Sequence, residues 1–303
     1  MSGYITEFFG YRADDTSDCA KAQSATRHCP FLNEVCPKRL SRERIPSGVC
    51  AVRQASSNAP TVICCPNRLY ADDYRMLRCI CKDAFHVDKA LYGGKTAVER
   101  AKVEDGAVAV FGKQWGGELR LPQREGAGSY FVDWVLVLLD GEGKIREFTA
   151  VEVQTVDTTG NYHPSRQALV ESRQMVKSTV GINWENVSKR IIPQLIYKGQ
   201  VLQREDLCRA GLYFVCPDPV FDRVLRRLGG TEKIPAFPSQ PASIHFVSYD
   251  YDMSKTPENG TITPLNIRRS LCTTVYKVQE AFSSMTLPEG NVYRRAIEKS
   301  LYG

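Results

Sequence analysis

The chain contains no run of about twenty apolar residues, and without one no helix is expected to span a bilayer. Its opening, MSGYITEFFGYRADD, lacks both the basic start and the apolar stretch of a signal peptide, so a cytoplasmic protein with no membrane partner is expected. No internal repeat or low-complexity tract is present, which excludes solenoid and array architectures and gives no indication of disorder. A strong excess of one charge is missing as well. The net charge is +6 and the pI near 8.7, whereas domains dedicated to DNA often exceed about pI 9. This balance permits nucleic-acid binding without requiring it, since internal acids can mask a basic face.

What the chain does have is enough apolar material for a core: 303 residues, 43% of them hydrophobic, suit one large or two smaller domains. Three zones are predicted. Residues 1–90 are rich in cysteine and in turns, with QASSNAPT as a loop and ADDYRMLRCICKDAF as a helix. Residues 91–235 follow an α/β pattern. In it TAVERAKVED is a helix, AVAVF and GELRL are strands, and SYFVDWVLVLLDGEGKIREFTAVEVQ is a hairpin. The stretch NVSKRIIPQLIYKGQVLQRE is mostly helical and started or kinked by Pro193, AGLYFVCPD is a buried strand, and PVFDRVLRRLGG is a helix ended by glycine. Residues 236–303 open with a proline-rich linker and continue through a strand, a loop at MSKTPENGTITP and a terminal helix.

Within the hairpin, AVEVQTVD carries a carboxylate and an amide at alternate positions of an apolar run. Strand geometry puts Glu152 and Gln154 on one face and Val151 and Val153 on the other. On an edge strand such a face would merely meet water. The turn DGEG, however, pairs Asp133 with Val151 or Glu152, and directly opposed residues lie roughly 5 Å apart. A one-residue bulge decides between the two, and Asp133 opposite Glu152 is expected. Two adjacent carboxylates repel unless a positive charge lies between them, and Asp133 interrupts YFVDWVLVLL, where an unpaired buried charge would be costly. Glu118 in WGGELRL stands just ahead of the hairpin. Three acids and Gln154 are what an oxygen-seeking Mg²⁺ needs for attack of water on a phosphodiester.

Eight of the eleven cysteines fall between Cys19 and Cys81. A reducing compartment disfavours disulfides, so CPFLNEVCPKRL…SGVC…CCPNR reads as a thiolate metal site, although its spacing matches no common zinc finger. Cys79, Cys81 and His86 read as packing residues.

An ordered series of segments resembles the NotI-type restriction endonucleases, a branch of the PD-(D/E)xK nuclease superfamily. The segments are EFFGYR at 7–12, CPF at 29–31, SGVCAV at 47–52, CCPNR at 64–68, GGEL at 116–119, FVDW at 131–134, VEVQT at 151–155, and NVSKR with YK between 186 and 198. The resemblance implies a PD-(D/E)xK core with a mixed central sheet flanked by helices and an N-terminal metal-binding region built on four cysteines. Glu118, Asp133, Glu152 and Gln154 take the family's active-site positions, with Asp133 and Glu152 on the Mg²⁺. Gln154 replaces the usual superfamily lysine; a neutral amide can orient a water but cannot take its proton. Cys29, Cys36, Cys50 and Cys65 align with the thiolates of a single structural iron, for which zinc can substitute, and Cys64 is displaced by one. The implied activity is that of a bacterial type II restriction enzyme, a homodimer cutting both strands of a GC-only palindrome in double-stranded DNA. A cognate DNA methyltransferase would act on the same site without needing to bind this chain.

Base reading is expected from Lys38, Arg39, Arg42 and Arg44 in KRLSRER and from Asn161, His163 and Arg166 after the catalytic strand. Two other functions stay open on sequence grounds: a non-catalytic, metal-stabilised DNA-binding protein, and a repair or junction nuclease of the same superfamily without sequence specificity. The acidic hairpin face argues against the first, because it would repel phosphate.

Overall fold

The computed structural model describes residues 2–40, 45–56, 58–119, 131–185, 187–254, 256–284 and 289–302. Its centre is a mixed seven-stranded sheet. In chain order the strands are β7 (Leu91–Gly93), β8 (Ala107–Gly112), β9 (Trp134–Leu139), β10 (Ile145–Val153), β13 (Leu212–Pro217), β14 (Ser243–Tyr251) and β15 (Leu265–Thr274), and in space they run β15-β14-β13-β10-β9-β8-β7. The β13 sequence LYFVCP is apolar throughout and buried throughout, as expected of a strand parallel to both neighbours and covered on both faces.

The two coverings are distinct. Helix α2 (Ala71–Phe85) lays Met76, Leu77, Ile80 and Phe85 on one face, against Val151 of β10 and Tyr213 and Val215 of β13. On the other face α5 (Ile192–Leu202), α6 (Asp218–Arg227) and α7 (Val275–Ser283) cover Ala150 of β10 and Phe214 and Cys216 of β13. Helix α3 (Thr96–Val103) closes the β8 end. Alternation along β10 therefore turns Ala150 and Glu152 toward α5, and Val151 and Val153 toward α2. The strand lies fourth of seven, so the solvated-edge reading of its polar residues does not hold.

The cysteine-rich zone builds a second, antiparallel sheet, ordered β2-β1-β5-β6, from β1 (Gly3–Phe8), β2 (Tyr11–Arg12), β5 (Val49–Gln54) and β6 (Thr61–Ile63). Beside it lies a short ladder of β3 (His28–Cys29) and β4 (Glu34–Val35). Helices α1 (Asp18–Thr26) and α4 (His163–Ser172) and a ladder of β11 (Thr158–Thr159) with β12 (Gly181–Ile182) pack around it. This sheet shares its apolar core with the α5 face of the main sheet. A buried ion pair also ties it to the end of β14: Arg68 Nε donates to Glu7 Oε1 at 2.9 Å, Tyr251 Oη donates to Glu7 Oε2 at 2.6 Å, and a second guanidinium nitrogen of Arg68 donates to the Thr263 carbonyl.

Two sequence expectations need correction. GELRL is no strand over its described residues 117–119, because Gly116 and Gly117 hold φ of +80° and +82°, left-handed conformations that end an extended run. The C-terminal zone contains more than one strand and one helix: β15 and α7 precede the terminal helix α8 (Val292–Tyr302).

Candidate active site

The site forms where β9 begins and β10 ends. Asp140 folds the hairpin turn by accepting the N–H groups of Glu142 and Lys144 at 3.0 and 2.9 Å on one carboxylate oxygen. A bulge between Ile145 and Glu147 then shifts the pairing by one residue, so that Val151 faces Trp134 at the end of the ladder, and Asp133, in the bend just before β9, sits close enough to Glu152 for its charge to act on that carboxyl. Asp133 is fixed there by the Val153 N–H, which donates to its Oδ2 at 2.7 Å.

Glu152 is largely removed from water, whereas Asp133 keeps an exposed side on the cleft while nearby protein still crowds its carboxyl, and their pKa values follow. Burial, and then the negative charge of Asp133, raise Glu152 from 4.5 to about 7. Burial also raises Asp133, with Glu118 adding to the rise and the Val153 N–H and Lys198 opposing it. Lys198, on α5, is the residue that the sequence reading left out of the site. Its Nζ lies 2.6 Å from Glu152 Oε2, with the side chains only 12% and 13% exposed. The Lys198 ammonium and the backbone N–H of Asp133 both act on the Glu152 carboxyl and oppose the rise.

Gln154 continues the strand ladder through its N–H, which donates to the Val215 carbonyl at 2.9 Å, while its side-chain amide donates to the Thr155 carbonyl at 2.6 Å. It opens with Asp133 and Asp157 onto a cleft of about 480 Å³, whose other wall carries Lys38, Asn67 and Lys113. Glu118 is exposed and lines a separate hollow with Gly112 and Val135, yet its charge still reaches Asp133.

The cysteine cluster forms part of the same cleft wall. Cys29, Cys36, Cys50, Cys64 and Cys65 are all buried in one core. Backbone N–H groups are directed at four of these sulfurs: Phe31 and Leu32 at Cys29, Lys38 and Gly48 at Cys36, Gly10 at Cys50 and Asn67 at Cys65. Such donors favour thiolates over thiols, but burial outweighs them at Cys29, pushed up to about 11, and at Cys36. The Cys50 S–H hydrogen-bonds Cys65, which lowers Cys65 to about 7 and raises Cys50 well above its ordinary value. Among the described residues, no group of three or more His, Cys, Asp or Glu side chains is placed to hold a metal ion. The donor chemistry of the four aligned cysteines nevertheless suits a tetrahedral thiophilic ion.

The expected DNA-reading residues divide. Arg42 and Arg44 lie outside the described residues. Lys38 turns inward, its Nζ donating to the Cys64 carbonyl at 3.1 Å; burial opposes its charge, but Cys64 and Cys65 hold it protonated beyond the ordinary lysine range. Arg166 is 3% exposed and donates to the Ser47 and Pro46 carbonyls at 3.1 and 2.9 Å. Arg39 pairs through its backbone with Pro46. Asn161 and His163 are exposed at the start of α4, where Asn161 Oδ1 accepts the His163 N–H at 2.9 Å.

A family model described as restriction endonuclease NotI matches residues 8–235, a span that holds the acid pair, Gln154, Lys198 and the whole cysteine cluster. The chain belongs to the NotI restriction endonuclease family. It is accordingly a site-specific deoxyribonuclease acting on double-stranded DNA. No curated protein matches the sequence. Among the described residues, no helix is long and apolar enough to cross a membrane.

Proposed function

We propose that this NotI-family chain is a type II restriction endonuclease with a PD-(D/E)xK core, cutting a GC-only palindrome as a homodimer in the bacterial cytoplasm and depending on Mg²⁺. The observation that carries the reading is the crowding of Asp133 against Glu152 at the ends of two central strands, beside a cleft that Asp133 and Gln154 line. A divalent cation held by these two carboxylates would stabilise charge on the phosphate and acidify a water.

The protein's own part is positioning. The Val153 N–H keeps Asp133 aimed at the cleft, and Glu118 adds negative charge at its rim. Gln154 releases the Thr155 carbonyl and orients the attacking water, whose proton a neutral amide does not take. Cys29, Cys36, Cys50 and Cys65 would hold one structural iron or zinc, whose role is to cross-link the wall opposite the acids. In this reading residues 1–90 form the metal-binding region, 91–235 the nuclease core, and 236–303 an extension that lengthens its sheet.

The test uses purified protein and GC-rich plasmid. Asp133→Asn and Glu152→Gln are expected to lose cleavage while keeping or tightening binding, because a negative charge beside phosphate has been removed. Near wild-type cutting by either variant in saturating Mg²⁺ refutes the site. A monomer in sedimentation, both free and on cognate DNA, refutes the dimer.

A further inference from the structure

We propose that Lys198 is the positioning cation of the active site, delivering from helix α5 the positive charge that the catalytic strand lacks at Gln154. The inference rests on the reading of Asp133 and Glu152 as the catalytic pair and adds a residue to it.

Three observations converge on Lys198. The first is contact: Nζ is 2.6 Å from Glu152 Oε2. The second is its place on the helix. Ile192, Leu195 and Gly199 form the buried stripe of α5, and Lys198 falls on that stripe, three residues after Leu195. A lysine there must give up most of its hydration, which an exposed surface lysine never has to do. The third is how α5 is seated. A Cβ on Gly199 would meet the Val275 side chain at 3.0 Å and that of Ile244 at 3.5 Å, so the bare glycine lets the helix approach β14 and α7 closely enough for the neighbouring lysine to reach across β13 to β10.

A structural role alone accounts poorly for this arrangement. A buried ion pair costs desolvation on both partners, and a well-packed apolar pair of similar volume is often as stable or more so. The pair sits where the sheet could have used an apolar contact, at the one point where a second acid, Asp133, crowds Glu152. An ammonium on Glu152 offsets that repulsion and holds the carboxylate in a single orientation. Lys198 touches Glu152 and no reacting atom, so it acts through Glu152.

The geometry also provides a test of charge as distinct from packing. Residues 152 and 154 are two apart on one strand face, roughly 7 Å. A lysine at 154 would therefore bring an ammonium to the same carboxylates from the other side. Four variants are compared: Lys198→Met, Lys198→Arg, Glu152→Gln, and Lys198→Met combined with Gln154→Lys. Single-turnover cleavage in Mg²⁺, DNA affinity with Ca²⁺ in place of Mg²⁺, and thermal unfolding are measured for each.

Lys198→Met is expected to cut about 100-fold more slowly, the usual loss for a preorganised electrostatic partner, with DNA affinity unchanged. Lys198→Arg is expected to retain most of the rate, and Gln154→Lys to recover at least tenfold in the Lys198→Met background. Cleavage by Lys198→Met within threefold of wild type overturns the proposal. So does a loss that neither arginine nor Gln154→Lys repairs, which would assign Lys198 to packing. If Lys198→Met does not fold, Lys198→Gln carries the same comparison. Glu152→Gln separates the two levels: if it cuts normally, the active-site reading falls, and if it is dead while Lys198→Met is active, only the role of Lys198 falls.

Discussion

If Glu152 belongs to the proposed catalytic pair, stability and catalysis make opposite demands on it, and substituting it separates them. Its carboxyl titrates at about 7 in the fold and near 4.5 when exposed, burial being the larger cause and Asp133 the next. The folded state therefore holds this proton to higher pH than the unfolded chain does, so the metal-free protein loses stability as pH rises from 4.5 to 7 and carries the full penalty above 7. At about 1.36 kcal/mol per pH unit, that interval corresponds to about 3 kcal/mol, with the attraction of Lys198 already included. Glu152→Gln preserves the shape of the protonated acid and abolishes the titration. In chelator at pH 8 the variant is expected to be more stable than wild type by about 3 kcal/mol, or roughly 5 °C in Tm for a chain of this size. At pH 4 the difference should vanish. Adding Mg²⁺ at pH 8 should close the gap by stabilising the wild type alone. Thermal unfolding of both proteins from pH 4 to 8 decides it. A pH-independent gap, or a variant less stable at pH 8, would mean that the Lys198 pair outweighs burial and repulsion together, and the argument from strain at the site would fail.

The elements that a sequence reading captures here are those where one physical signal dominates. Turn composition left Asp133 opposite Val151 or Glu152, the second was expected because two crowded acids call for a shared cation, and the bulge that such a shift needs lies at Ile145 to Glu147. The buried strand at 212–217 and the helix at 218–227 followed from an apolar run and a glycine stop. β15 escaped notice because LNIRRSLCTT is an edge strand with exposed or half-exposed charges, the pattern that protects an edge from aggregation and hides it from a search for apolar runs. In the candidate site, sequence marks charge but not direction. Lys38 and Arg166 look like DNA ligands in the chain, and both fold inward because buried carbonyls, and for Lys38 thiols, compete for them. Lys198 is 46 positions downstream of Glu152 and no local motif joins them. One signal was legible even so: a lysine within the Ile192–Leu195–Gly199 stripe requires a buried partner.

Three further outcomes follow from the packing around the site. Purified protein should contain about one iron or zinc per chain, and Cys50→Ser should be insoluble because binding such a metal is coupled to folding; folded, active protein with less than half an equivalent would exclude the four-cysteine site. Arg68→Ala should cost about 3–5 kcal/mol in denaturant unfolding, since it strands the buried Glu7 carboxylate, and Arg68→Met together with Glu7→Leu should recover much of that loss. Arg166 gives the sharpest contrast between stability and binding. Its guanidinium satisfies the carbonyls of Pro46 and Ser47 inside the protein, so Arg166→Ala leaves two buried acceptors unpaired and should cost about 2–4 kcal/mol in unfolding. It should leave the slope of log affinity against log salt unchanged, because no phosphate contact is lost. Each phosphate contact contributes about 0.9 to that slope. A fall of this size in Arg166→Ala, measured by titration of cognate DNA between about 50 and 200 mM salt, would mean that the guanidinium leaves its two carbonyls and reaches the backbone in the complex, and the inward assignment of Arg166 would be wrong.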